Sequence, residues 1–226
     1  MNIKVKQNKF IIIFLWLIIF VLASSDCQFH KGPSHEIKQM PSVLNETVIL
    51  GFRPALSSGE ESGVIRSPFS GAVFLAEPVP ADVPDKMTNR LFARFKGREG
   101  YELISPGKAM GISAGLMSKD KGMDDIETLQ KIGQAFSAEA VMLGYIYRWE
   151  ERRGTDYSVD SPASVAFDLY IMRTEDGAIL WKGKFDKKQA PLSENLFDLD
   201  TFFKGKGKWM KEEELAEMGL AEMFGE

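Results

Sequence analysis

Ala140–Glu150 reads AVMLGYIYRWE, and its alternation places Val141, Leu143, Tyr145, Tyr147 and Trp149 on one side of an extended chain. Two more alternating runs follow, Val165, Phe167, Leu169, Ile171 and then Ile179, Trp181, Phe185. Gly154–Pro162 is a polar loop between the first two, and Thr174-Glu175-Asp176-Gly177 is a hairpin turn between the last two. Successive alternating runs joined by turns predict an antiparallel meander.

Upstream, Glu46–Phe52 (ETVILGF) is short, nearly continuously apolar and β-branched, the pattern of a buried central strand. Residues 55–71 are rich in Ser, Gly and Glu and read as a long surface loop, followed by a brief strand or bend at Val73–Leu75. Asp82 is placed as an N-cap, with Pro84 in the first turn of a helix running to about Lys96. Val83, Met87, Leu91 and Phe95 form its inward stripe, and Arg90 and Arg94 lie on another face. Tyr101–Ser105 is a second short strand, and residues 108–119 read as a further helix. Asp124 or Asp125 caps a helix to about Ser137, turning Ile126, Leu129, Ile132, Gly133 and Phe136 inward. The C-terminal helix starts near Lys211, with Glu212, Glu213 and Glu214 at its positive end and Leu215, Met218, Ala221 and Met223/Phe224 as its apolar stripe. The order β-α-β-α-β-β-β predicts an α/β (α+β) sandwich with a mixed sheet of about five strands, helices on one or both faces, and a C-terminal helix.

The N-terminal stretch speaks of destination. Lys4, Lys6 and Lys9 precede an uninterrupted apolar run, Phe10–Ala23 (FIIIFLWLIIFVLA). That run suits a signal-peptide h-region and falls short of the roughly 20 residues of a relaxed bilayer span. The sole cysteine, Cys27, follows where a bacterial lipoprotein carries its lipidated residue, so the expected anchor is a lipid on Cys27 after removal of residues 1–26. Ser24 and Asp26 occupy places where a lipobox has Leu and a small residue, and Ala23 and Ser25 equally suit ordinary cleavage after Ser25. Lipidation implies the periplasmic face of the outer membrane; cleavage after Ser25 implies a soluble periplasmic or secreted protein. Residues 27–45, polar and proline-bearing, read as a tether, residues 46–190 as the α/β domain, and residues 191–226 as an appended aromatic and lysine-rich segment ending in the helix.

Composition narrows the chemistry of the 226 residues. One cysteine makes neither an internal disulfide nor a thiolate-rich metal site, and the two histidines, His30 and His35, both fall in the tether. No metal or cofactor is expected, and no phosphate-loop spacing occurs among the glycines. A formal charge of −4 argues against nucleic acid as a partner.

With these elements in view, the chain resembles the TolB amino-terminal domain class, which includes CsgG- and LpoB-like outer-membrane proteins. The resemblance rests on the VILGF strand, the capped helix, the IGQAFSAEAVMLGYIYRW stretch with Ser137-Ala138-Glu139-Ala140 at its joint, and the Phe167–Met172 and Gly177–Trp181 hairpin. It covers roughly residues 46–188 and implies a non-catalytic adaptor or assembly component, without catalytic residues to carry over.

Two kinds of site follow from the residues. A carboxylate-dependent cell-wall hydrolase would draw on Glu150, Glu151 and Asp168, which read as lying near strand ends beside Arg148, Arg152 and Arg153. A contact surface would draw on Trp149, Phe202, Phe203, Lys204, Lys206, Lys208 and Trp209, where ammonium groups beside aromatic rings suit anionic head groups or an acidic glycan. The reading taken is a binding or assembly factor, anchored in the membrane by its N-terminal lipid and contacting another envelope protein or cell-wall glycan. The hydrolase, and an oligomeric, ring-forming secretion component, are the alternatives.

Overall fold

A computed structural model describes residues 40–41, 43–109, 111, 126–190, 205 and 207–225, all within the compact unit Ile37–Glu226. The leader, Cys27, both histidines and most of the tether lie outside the described residues. So do most of the expected 108–119 helix and the capping Asp124 and Asp125.

The sheet is mixed, with strand order β4-β1-β5-β8-β9. Its strands are β1 (Leu44–Pro54), β4 (Tyr101–Ile104), β5 (Ala140–Glu150), β8 (Ser164–Arg173) and β9 (Ile179–Lys188). β1 runs parallel to β4 and β5, while β5, β8 and β9 form the expected antiparallel meander. The fold is α+β, as the pattern of elements predicts. Helices α1 (Val83–Phe95) and α3 (Glu212–Phe224) cover one face, and helix α2 (Ile126–Ala135) lies on the other.

The first correction concerns residues 55–71. They hold strand β2 (Gly63–Arg66), which pairs antiparallel with β3 (Val73–Ala76) to form a hairpin over the α2 face. The two strands have four residues each and sit in a Ser/Gly/Glu-rich setting, too little for the period-2 signal to show. A second small ladder, β6 (Arg153–Gly154) with β7 (Val159–Ser161), lies inside the expected polar loop.

Residues at both faces of β5 and β8 are buried, because each face is covered. Besides a register shift between Leu44 and Thr47 of β1, three bulges redistribute the alternation. At the first, Leu50 is the extra residue of β1, and Gly51 takes φ +79°. At the second, Ile146 opposes Phe167 and Arg148 opposes Ala166, leaving Tyr147 unpaired. Tyr147 and Arg148 therefore both serve the hairpin face, and Trp149 crosses to the helix face, away from Val141, Leu143, Tyr145 and Tyr147. At the third, Ile171 opposes Trp181 and Met172 opposes Ile179, so Ile179 packs on the α2 face while Trp181 and Phe185 join the core beneath α1 and α3.

The helices largely follow their sequence patterns. Val83, Met87, Leu91 and Phe95 are buried, and Arg90 and Arg94 reach α3, where Arg90 donates to the Glu213 carbonyl at 2.9 Å and Arg94 pairs with Glu217. Asp82 makes no capping hydrogen bond with its side chain; its carboxylate pairs instead with Lys86 at 2.9 Å. Leu129, Ile132 and Gly133 of α2 are buried, whereas Ile126, expected to turn inward, is 41% exposed. α3 buries Leu215 and Met218 and ends in Gly225 at φ +70°.

Candidate functional site

Asp168 stands in the middle of β8, opposite Tyr145 on β5 and Lys184 on β9, and is 1% exposed. This corrects its placement at a strand end. Its side chain faces the hairpin. Tyr147 donates to Oδ2 at 2.9 Å, and Tyr170, two residues along the same strand, donates to the same oxygen. The Tyr170 hydroxyl is also bonded to Ser67 and lies 3.0 Å from the Ser70 hydroxyl, both on the loop closing the hairpin. Oδ1 is buried with no hydrogen-bond partner among the described residues. Burial pushes the Asp168 carboxyl above the usual carboxylate range, against the pull of the Tyr170, Ser67 and Tyr147 hydroxyls and the Tyr145 backbone amide. The same burial, reinforced by the Asp168 charge, pushes Tyr147 and Tyr170 far up.

Aromatic rings seal this cluster. Phe74 stacks on Tyr147 with centroids 3.8 Å apart and planes 4° from parallel, and the Lys184 ammonium lies 4.5 Å from the Phe74 centroid. Phe69 sits edge-on to Tyr170 at 5.1 Å. Asp168 has no path to a substrate in this arrangement.

Glu150 does not join Asp168. It opposes Ser164, four residues back along β8, or about 13 Å at strand spacing. Its carboxyl neighbour is Glu77, just past β3, whose own carboxyl is raised first by burial and then by the charge and hydrogen bond of Glu150. Lys188 approaches Glu150 at 3.5 Å. Glu150 is thus coupled to Glu77 and Lys188 at the end of the sheet and not to Asp168. Glu151 is exposed.

Arg148 is a buried cation at this end of the sheet. It is 8% exposed and binds the Ser164 hydroxyl at 2.6 Å, the Leu75 carbonyl at 3.1 Å and the Asp186 carboxylate at 2.6 Å, tying β5, β8, β3 and β9 together.

The residues expected to form a contact surface are partly in view. Trp149 is 8% exposed and packed in the core, which leaves only its rim for a contact. Lys208 is exposed and pairs with Asp156 at 3.4 Å; Trp209 is half-buried. The backbone here is tightly held. The Trp209 amide donates to the Asp156 carbonyl at 2.8 Å, and Arg152 donates to the Trp209 carbonyl at 2.5 Å. The Gln189 side chain, at the end of β9, donates to the Lys208 carbonyl at 3.1 Å and accepts from the Met210 amide at 2.8 Å. Phe202, Phe203, Lys204 and Lys206 lie outside the described residues.

At the opposite end of the sheet, a cavity of about 640 Å³ opens between Leu44, Ala138 and Leu180, with Glu139, Arg173 and Glu175 at its wall. Among the described residues no group of three or more His, Cys, Asp or Glu is placed to hold a metal ion, and no helix is long and apolar enough to cross a membrane.

Sequence reasoning missed two features. The Asp168–Tyr147–Tyr170 cluster was visible only as Asp and Tyr two apart on one run and paired tyrosines on the preceding one. The Glu77–Glu150 contact had no local signal, because it depends on where the hairpin docks.

No family model and no curated protein matches the chain. Among solved structures it is similar to a lipoprotein from Neisseria meningitidis, with 14% identity, 70% of this chain and 90% of that one covered, and a TM-score of 0.41. It is also similar to the LpoB C-terminal domain from Salmonella enterica, with 13% identity, 64% and 82% covered, and a TM-score of 0.36. A third is the PelC dodecamer from Paraburkholderia phytofirmans, with 10% identity, 69% and 81% covered, and a TM-score of 0.38. The fold described above rests on the chain's own topology.

Proposed function

We propose that this chain is an exported, lipid-anchored and non-catalytic binding or assembly factor at the periplasmic face of the outer membrane. The basic and apolar leader followed by Cys27 supports export and anchoring. The carboxylates that a hydrolase would need stand apart: Asp168 is sealed beneath the hairpin, and Glu150 contacts Glu77. The contact surface is the segment Phe202, Phe203, Lys204, Lys206, Lys208 and Trp209, meeting an envelope protein or an acidic cell-wall glycan.

The observation that carries this reading is the fixed base of that segment. Gln189, Arg152 and Asp156 clamp the backbone at Lys208–Met210 while leaving the Lys208 ammonium exposed. A rigid base lowers the entropy lost when such a surface binds. A photo-crosslinker at position 208 of the full-length, membrane-extracted protein tests it. A discrete adduct with an envelope protein or with glycan is expected; loss of glycan turnover in a folded Glu150→Gln variant would replace this reading with the hydrolase.

A further inference from the structure

The hairpin is tied to β5 by Arg148, which donates to the Leu75 carbonyl, and by the Glu77 amide, which donates to the Tyr147 carbonyl at 2.7 Å. Its closing loop rests on hydroxyls gathered around one buried carboxylate, beneath a lid also held by Phe74, Ile65 and Phe69. A carboxylate closed off with one oxygen unpartnered carries a desolvation cost that water would relieve if the hairpin lifted. The neutral acid carries far less of that cost.

We propose that Asp168 is a proton-operated latch for the β2–β3 hairpin: with Asp168 protonated the hairpin stays down on the sheet, and with Asp168 ionised the lifted state gains population. Lifting exposes Phe74, Phe69 and the Tyr147 ring, so the latch controls access to an aromatic surface that the closed form hides.

Among the described residues, the carboxyl faces groups from β5, β8, β9 and the hairpin. β5 contributes Tyr145 and Tyr147, β8 contributes Tyr170, and β9 contributes Lys184, whose ammonium lies on the outer side of Phe74. Lys182 is opposite Tyr170. The hairpin contributes Ser67 and Ser70, with Arg66 turned to the Gly71 carbonyl at 2.9 Å. Farther along, Arg148 is committed to Asp186, and Glu77 to Glu150. No cation in this set hydrogen-bonds Asp168. Burial raises its carboxyl in the closed form, so closure binds a proton, and the bias toward closure fades as pH rises through the closed-form value.

Hydrogen exchange of the full chain, followed by mass spectrometry and corrected for intrinsic rates, reads the opening of residues 63–76 directly. Between pH 3.5 and pH 8 opening is expected to rise, about tenfold for each unit by which closure raises the carboxyl. Asp168→Asn should abolish that rise, while Glu77→Gln, which removes the other raised carboxyl at the hairpin, should keep it. Tyr170→Phe removes a donor to the carboxylate and should move the transition to higher pH. A pH-independent hairpin in the unaltered protein, a rise surviving in Asp168→Asn, or an unmoved transition in Tyr170→Phe would each overturn the latch.

Discussion

The Thr88 hydroxyl fills the space in which a Cβ on Gly51 would lie, 2.2 Å away, and from there accepts the Phe52 amide at 2.8 Å. The Leu50 bulge takes that amide off the sheet ladder, and α1 supplies the replacement acceptor, with Thr88 donating in turn to the Pro84 carbonyl at 2.8 Å. A left-handed glycine, a bulge and a helix threonine are therefore one device that seats α1 on β1.

Gly51→Ala combines a side chain at φ +79° with a collision against Thr88, and should cost about 3 kcal/mol in denaturant unfolding. Thr88→Ala strands the buried Phe52 amide and should cost about 1–3 kcal/mol. Because Thr88→Ala removes the Oγ1 and Cγ2 collisions and leaves only the Cβ at 2.8 Å, the double variant should be more stable than the sum of the single losses implies.

Arg148 links four strands from an almost closed position, and its removal leaves Asp186 and the Leu75 carbonyl without their partner. Arg148→Ala should cost about 3–5 kcal/mol, with Arg148→Lys recovering only part because the guanidinium fork is lost. Thermal unfolding of the two variants checks the order.

Gly144 has no room for a methyl group: its Cβ would meet the Phe52 ring at 2.4 Å and the Asp168 carbonyl at 2.8 Å. Gly144→Ala should displace Phe52 from its edge-on contact with Phe167 and cost about 1–3 kcal/mol, measured by urea unfolding.

Asp168 also sets a pH dependence of overall stability. Its carboxyl is raised above the unfolded value of 3.8, so its neutral form favours the folded state fully below that value, and the contribution is lost as pH rises through the folded value. The exposed Asp82, Asp156 and Asp176 are lowered by hydrogen bonds and act with the opposite sign, but solvent and salt screen them. The stability of Asp168→Asn relative to the unaltered chain should therefore increase as pH rises from 4 to 8 in high salt; a constant difference would contradict this assignment.

The meander was readable from β5, β8 and β9 because three alternating runs joined by turns pair as antiparallel neighbours, and α1 from the spacing of Val83, Met87, Leu91 and Phe95. What escaped reading were the breaks in those periods. Tyr147 as an extra residue sends Trp149 to the face beneath α1 and α3, and Leu180 as an extra residue puts Ile179 on the α2 face, with no local mark in the sequence. The hairpin escaped because Gly63–Arg66 and Val73–Ala76 are held by docking more than by propensity. Asp168 was misplaced for the same reason: its burial is set by a lid whose existence its own strand does not announce.

The mass of the mature N-terminus, taken from protein extracted from the cell envelope, decides whether this chain is a lipid-anchored export product. The expected chain begins at Cys27 with a diacylglyceryl thioether and an acylated amine. A chain beginning at Asp26 with an unmodified thiol, or one retaining Phe10–Ala23, would contradict it.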